Sequence, residues 1–197
     1  MSHYYSKTQE QITSNEKSIS FTFMNNNFTF TTDNGVFCKD YIDFGSKTLL
    51  KAFKPNSIEA PILDMGCGYG TLGIIISKIY NKEVHMFDVN ERAVNLCNKN
   101  IAKNKVDAKA FICDITEGLT VTGYSACVTN PPIRAGKKVV LKMYEEAYKA
   151  LEPKGELFVV IQKKQGAPSS KEYIESLFGN CDIILKDAGY YILHATK

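Results

Sequence analysis

No C-x-x-C pair occurs among the six cysteines, Cys38, Cys67, Cys97, Cys113, Cys127 and Cys181, and no histidine cluster stands beside them. That absence excludes the common zinc sites and leaves the thiols as reduced, mostly buried small hydrophobes. Histidine is scarce, with three in 197 residues. His3 and His194 are isolated, and His85 falls inside an apolar strand pattern where a packed neutral imidazole fits better than a base or a ligand. No metal is assigned. No apolar run approaches the length of a membrane span, and the first residues are polar without a signal-peptide core, so the chain is expected in the cytoplasm. Repeats and low-complexity tracts are missing. Excess charge is small as well, at a net +3, which permits a polyanionic partner without demanding one; the placement of the lysines matters more than their number.

What is present is a globular chain, 44% hydrophobic and 23% charged, long enough for one well-buried core with short additions. Residues 1–18 read as a polar extension whose Tyr4 and Tyr5 dock on the body. Ile19–Phe23 and Phe28–Thr31 alternate apolar with polar around Asn25-Asn26-Asn27, the pattern of a β-hairpin with one buried face. Ser46 is placed to cap a helix running to about Phe53, which Pro55 stops. From Pro61 onward strands and helices alternate. The spacing predicts strands at 62–65, 83–88, 109–113, 126–129 and 156–162, with helices at 70–80, 91–104, 138–151 and 171–178. Two closing strands, 183–186 and 190–195, are linked by so short a turn that they must be antiparallel. The expected fold is α/β and Rossmann-like: a mostly parallel seven-stranded sheet with an antiparallel edge strand, helices on both faces and an N-terminal hairpin extension. Residues 1–55 form the extension and residues 56–197 the main domain.

The stretch Ile62-Leu-Asp-Met-Gly-Cys-Gly-Tyr-Gly-Thr-Leu-Gly73 reads as a buried strand, a glycine turn and a helix start. Gly66, Gly68 and Gly70, around Cys67, let backbone N–H groups approach a ligand with no Cβ between them. Asp64 can accept hydrogen bonds from a cation. An acid beside bare backbone suits S-adenosylmethionine (SAM), which joins an ammonium group to a nucleoside. Gly68, Gly70 and Gly73 also satisfy G-x-G-x-x-G, so a nicotinamide or flavin enzyme competes at this point. Asp88 ends the next strand about 20 residues past the turn, where a carboxylate accepts ribose hydroxyls, with Val89 beside it. Capping the following helix is the alternative role for Asp88, as it is for Asp114, which otherwise accepts from an adenine amino group.

Val128-Thr129-Asn130-Pro131-Pro132-Ile133 decides between the cofactors. It lies at the C-terminal end of a strand, where open α/β sheets place their reaction crevice. The two prolines remove N–H donors and leave acceptors, the Asn130 side-chain oxygen and the Pro131 carbonyl. Such an array grips a ring-conjugated amino group by its two hydrogens and aims the nitrogen at an electrophilic methyl. A nicotinamide enzyme has no use for it. Basic residues gather beyond this turn, with Arg134, Lys137 and Lys138 in one loop and Lys163, Lys164 and Lys171 in another, a border suited to RNA phosphates if they are not merely solvated.

Asp64-Met-Gly-Cys-Gly-Tyr-Gly, Asp88, Asp114 and Asn130-Pro-Pro-Ile resemble the class I SAM-dependent methyltransferases that modify exocyclic amino groups. Gly35-Val-Phe37, Asp43-Phe-Gly-Ser46 and Leu49-Leu50 are similar to the catalytic half of RsmC-type ribosomal RNA guanine-N2 methyltransferases, and the loops at 133–138 and 162–169 to a short single-domain bacterial branch. The resemblance runs from about Tyr4 onward. It implies the class I fold, SAM as cofactor, ribosomal RNA or the small ribosomal subunit as partner, and methyl transfer to a guanine N2 of 16S ribosomal RNA. Asn130, Pro131, Pro132 and Ile133 then form the catalytic turn of a monomer or weak dimer. The family usually carries Phe or Tyr after Pro-Pro; Ile133 offers a face without a π-stack, worth about 1 to 3 kcal/mol less per base. Phe37 is the candidate to supply the aromatic wall. Adenine-N6 and protein glutamine methylation are the enzymatic rivals, and a SAM-binding ribosome-assembly factor without turnover is the rival of another class.

Overall fold

The computed structural model describes residues 12–197. The expected docking of Tyr4 and Tyr5 lies outside them. A two-stranded antiparallel sheet, β1 (Lys17–Phe23) and β2 (Asn26–Thr32), precedes α1 (Phe44–Ala52). There follow β3 (Ile62–Met65), α2 (Thr71–Tyr80), β4 (Val84–Asp88), α3 (Glu91–Asn104), β5 (Ala108–Ile112), β6 (Tyr124–Thr129), α4 (Lys137–Ala150), β7 (Leu151–Gln162), α5 (Ala167–Phe178), β8 (Asp182–Asp187) and β9 (Tyr190–Thr196). Strands β3 to β9 form one sheet in the order β5-β4-β3-β6-β7-β9-β8. The first five run parallel, and β9 is antiparallel to both of its neighbours. The reversed edge region thus consists of β9 with β8 outside it. The order turns back between β3 and β6, which makes their shared C-terminal end the switch point at which a crevice opens.

Every residue of β3 and of β6 is buried, as expected of central parallel strands covered on both faces. Ile62 joins a core with α1, α2, α3 and the hairpin, whereas Leu63 and Met65 face α4 and α5. The two-residue alternation therefore directs Asp64 toward the α2 side. Apolar residues of residues 1–55, among them Phe28, Phe30, Val36, Leu49 and Phe53, share that first core. Among the described residues no helix is long and apolar enough to cross a membrane, and no three His, Cys, Asp or Glu side chains could hold a metal ion.

Strands β6 and β7 begin earlier than expected, at Tyr124 and Leu151, several other ends shift by a residue, and three further differences have a local reason. The hairpin turns at Met24-Asn25, both at positive φ, so Asn26 and Asn27 already belong to β2. Helix α1 is capped by Asp43, whose side chain accepts from the Ser46 N–H at 3.0 Å, and Ser46 sits buried in the first turn. Asp and Ser are equally good caps, so composition alone did not choose between them. Helix α5 begins at Ala167 because Pro168 stands in its first turn, where a missing N–H costs nothing.

Helix α3 covers the free edge of β2 with two asparagines spaced four residues apart. Asn104 accepts from the Thr29 N–H at 3.1 Å and donates to its carbonyl at 2.9 Å. Asn100 does the same to Thr31 at 2.7 and 2.9 Å, and donates to Tyr69 O in the glycine turn at 2.9 Å. Four residues of helix advance about 6 Å and two of strand about 6.8 Å, so side-chain amides at this spacing pair like a neighbouring strand. Asn100 is wholly buried. Asn100→Ala should destabilise the protein by about 2 to 4 kcal/mol, since three backbone groups lose their partner, and Asn104→Ala by less. Urea denaturation of the two variants measures both; equal costs would mean that Tyr69 is held by something else.

Candidate active site

Strands β3 and β6 pair in parallel with Met65 opposite Thr129, and the Thr129 hydroxyl donates to Met65 O at 2.7 Å. The turns that follow, Gly66–Gly70 and Asn130–Ile133, therefore leave the sheet side by side. A Cβ placed on Gly66 would lie 4.0 Å from Pro132 Cδ. Between them opens a cavity of about 450 Å³, in the size range of cofactor pockets. Its lining joins Asp64, Gly66, Cys67, Gly68, Asp88, Val89, Asp114 and the whole Asn130–Ile133 turn with Phe37 and Arg134.

Asp64 lies at the floor with no exposed surface. Its Oδ2 accepts from the Gly73 N–H at 2.8 Å, and its Oδ1 has no partner. Gly73 permits this contact: a Cβ there would collide with Met86 Sδ and come within 3.0 Å of Asp64 Oδ2. Burial pushes the Asp64 carboxyl up to about 7, opposed by the Gly73 hydrogen bond and reinforced by the charge of Asp88. Asp88 is also raised by burial, with its Oδ2 accepting from Gly68 N–H at 2.8 Å and its Oδ1 from Asn90 N–H at 2.9 Å. The cap of α3 is Asn90, which accepts from Ala93 N–H, so the capping alternative for Asp88 falls away. Asp114 does cap, receiving the Thr116 N–H and hydroxyl at 3.1 and 2.6 Å. A hydrogen bond with Cys97, and then burial, raise the Cys67 thiol well above its usual range and keep it neutral.

Asn130 is held from behind by two residues that the sequence did not single out for it. Its Nδ2 donates to Asp43 Oδ1 at 3.1 Å and reaches Ser46 Oγ at 3.3 Å. A carboxylate only accepts, so this contact settles which end of the amide is nitrogen and leaves Oδ1 as the free acceptor end. Pro131 N has no hydrogen to give. Its carbonyl accepts from the Ile133 N–H at 2.9 Å across Pro132, whose φ of −75° and ψ of 76° make an inverse γ-turn. One lone pair of that carbonyl is thus engaged and the other remains.

Arg134 is exposed in the first expected loop and Lys163 and Lys164 in the second, while Lys137 and Lys138 are exposed on the opening turn of α4 just after the first. The lining residues Ala135 and Val139 bracket Lys137 and Lys138, and Gln162 and Gln165 bracket Lys163 and Lys164. Both loops therefore border one mouth. Lys171 does not belong with them: it lies on α5 and pairs with Glu175 at 3.0 Å. His85 is held by Tyr124 and Glu83, a packing role. Besides Asp43 and Ser46, sequence reading missed Gln162 and Tyr190, which line the cavity and hydrogen-bond each other at 2.6 Å. Nothing short of the β7–β9 pairing brings those two together, with Gln162 opposite Tyr190.

The model of the Methyltransferase small domain family matches residues 27–194. The chain is 44% identical over 198 residues to the uncharacterized protein YbxB of Bacillus subtilis, covering 99% of this chain and 98% of that one. It is 31% identical to the ribosomal RNA small subunit methyltransferase C of Vibrio vulnificus over 83% of this chain and 48% of that protein. Among solved structures, the 16S rRNA N2 G1207 methyltransferase (RsmC) of T. thermophilus, in complex with AdoMet and guanosine, is similar with a TM-score of 0.83 at 25% identity. That match covers 92% of this chain and 50% of the other. The chain spans about half the length of the ribosomal RNA methyltransferases it matches.

The orphaned Asp64 oxygen has a consequence for stability. Its folded pKa of about 7 lies above the unfolded value, so between about pH 4 and pH 7 the folded state binds the extra proton and stability falls as pH rises. Above about pH 7 the loss is complete. Asp64→Asn keeps an acceptor for Gly73 N–H and removes the charge. It should raise stability by about 2 to 4 kcal/mol at about pH 8, with the gain shrinking toward pH 4. Thermal melts of both proteins across that range test this; a gain independent of pH would show that the carboxyl does not titrate where stated.

Proposed function

The chain belongs to the Methyltransferase small domain family, and on that premise we propose that it transfers a methyl group from SAM to an exocyclic amino group of RNA, the N2 of a guanine in 16S ribosomal RNA. The observation that carries the reading is the Asn130 amide, whose nitrogen is tied to Asp43 and Ser46 and whose oxygen is thereby kept as an acceptor. SAM fits the residues present. Asp64 offers a buried, partnerless carboxylate oxygen to an ammonium group. Gly68 lines the cavity, and a Cβ there would meet no protein atom within 4 Å, so its backbone is open to a ligand. The Asp88 oxygens accept from the backbone N–H groups of Gly68, Asn90 and Val89, and a carboxylate's two oxygens have lone-pair sites beyond these three for a ribose hydroxyl. Asp114 lines the cavity while it caps, and its carboxylate is assigned to the adenine amino group in addition to the cap.

When bound, SAM supplies a methyl group on a cationic sulfur. The chain's own residues position the acceptor. Asn130 Oδ1 and the second lone pair of the Pro131 carbonyl take the two hydrogens of the amino group and turn the nitrogen lone pair out of conjugation with its ring. The Asp43 carboxylate behind the amide strengthens Asn130 as an acceptor, because a charged partner polarises the hydrogen-bonded chain. Orientation supplies much of the rate. No strong base is needed, since the amine becomes acidic only as the methyl arrives. The target base, unpaired or flipped, lies against Ile133 with Phe37 as the aromatic wall. Arg134, Lys137, Lys138, Lys163 and Lys164 hold phosphates around the mouth.

Asn130→Ala should lower kcat by at least about 100-fold, roughly 2.7 kcal/mol, with fold and SAM affinity near wild type. Asp43→Asn preserves the helix cap and the shape but lets either end of residue 43 face Asn130. It should cost about tenfold in kcat at unchanged melting temperature. Tritium transfer from SAM to ribosomal subunits, with total protein as the competing acceptor, reads all of these. Full activity of Asn130→Ala on 16S RNA would sink the acceptor mechanism, and label in protein alone would sink the RNA assignment.

A further inference from the structure

The stretch from β2 into the first residue of α1 buries its aliphatic residues and displays its aromatic ones. Val36 and Ile42 are 2% and 3% exposed, whereas Phe37, Tyr41 and Phe44 are 50%, 63% and 39% exposed. Of the eight large hydrophobic side chains exposed among the described residues, three come from this one short stretch. Exposure here is not slackness. The backbone is pinned, with Tyr69 OH donating to Cys38 O at 3.2 Å and Thr32 Oγ1 to Lys39 O at 2.6 Å, and Cys38 is held at a φ of +52°. A loop fixed at that conformational cost, with its apolar anchors inside, presents its rings in a set place.

That place adjoins the mouth of the cavity, with Tyr41 two residues before the lining residue Asp43. Phe37 and Asp43 line the cavity, and Phe44 packs against the lining residue Tyr190 with ring centroids 5.5 Å apart. A Cβ on Gly45 would lie 2.9 Å from Tyr190 Cε1, so glycine is what lets the start of α1 close on that ring. Tyr190 in turn holds Gln162, the residue before Lys163 and Lys164. Aromatic faces and cations thus follow one another around the rim. Arg134, Lys137, Lys138, Lys163 and Lys164 make no ion pair with a carboxylate among the described residues. Rings interleaved with uncompensated cations match a single-stranded nucleic acid, whose bases stack while its phosphates pair.

We propose that Tyr41 and Phe44, the latter backed by Tyr190, stack on nucleotides flanking the target base, so that the substrate is an unpaired stretch of RNA rather than one extruded base in a duplex. This rests on the RNA reading above and adds a recognition surface outside the catalytic turn. Tyr41, hydrogen-bonded to Cys38, presents an exposed ring for one base; Phe44 and Tyr190 together form a second, broader face.

The test uses the whole chain and short RNA oligonucleotides with one guanine flanked by 2-aminopurine, unpaired or annealed to a complement. Wild type should bind the unpaired form, quench its fluorescence and discriminate against the duplex. Tyr41→Ala and Phe44→Ala should each weaken binding about tenfold and relieve the quench, with SAM affinity unchanged. Tyr41→Phe and Phe44→Tyr, which keep a ring, should restore both. Since Tyr41 is solvent-exposed, its variants leave the core intact. Wild-type affinity and quench in the double alanine variant would overturn the proposal while leaving RNA methylation standing. A wild type that labels protein and binds no RNA would overturn both, and that outcome is visible before any variant is made.

Discussion

Parallel pairing of β3 with β6, Met65 opposite Thr129, is the constraint on which the site depends. These strands are distant in sequence and adjacent only because the strand order turns back between them. Their pairing brings an acid-and-glycine turn next to a proline-rich acceptor turn, and neither would have a function without the other. Thr129 reinforces the register at the point where it matters, by bonding Met65 O just before both chains leave the sheet. A slip of one residue would send Asp64 to the α4 side and detach Asn130 from Asp43.

Around that pairing the chain tolerates electrostatic cost. Two carboxylates, the fully buried Asp64 and the partly buried Asp88, lie near each other, and each is raised above its ordinary range. A fold selected only for stability would not keep a partnerless buried oxygen at its centre. Asp88 is made tolerable by three backbone N–H groups, one of them from Gly68 in the glycine turn, so the same bond that shapes the turn also stabilises the carboxylate charge. Asp64 has only the Gly73 N–H, and the difference between the two acids is what a cationic ligand would exploit.

Much of this could be read from the residues, and what could not was of one kind. The strands, the helices, the hairpin and the cavity-lining roles of Asp64, Gly66, Asp88, Asn130 and Phe37 follow from local pattern, because turn chemistry and period are properties of neighbours in sequence. Asp43, Ser46, Gln162 and Tyr190 did not announce themselves, because their contacts with the site are set by tertiary packing. Asp43 entered only within a family-like stretch, with no contact to Asn130 assigned to it, and Ser46 drew the capping assignment that belongs to Asp43. Asn100 and Asn104 have the spacing of a solvated helix face; only the edge of β2 opposite them turns that face into a hydrogen-bonded seam. Lys171 fits a basic cluster by composition and leaves it by position, since α5 begins at Ala167 and carries Lys171 into its body beside Glu175.

Strand β9 is last in sequence but not last in space. It enters between β7 and β8, and it carries Tyr190 into the cavity wall against the start of α1. Until residues 190–196 have been synthesised, β8 has no partner and cannot join the sheet, however complete the rest of the polypeptide is. The pocket is therefore finished by the final segment to leave the ribosome among those described, and its assembly is a late, long-range step of the kind that slows folding. An emerging chain already holds the glycine turn and the proline turn but has no wall beside Gln162.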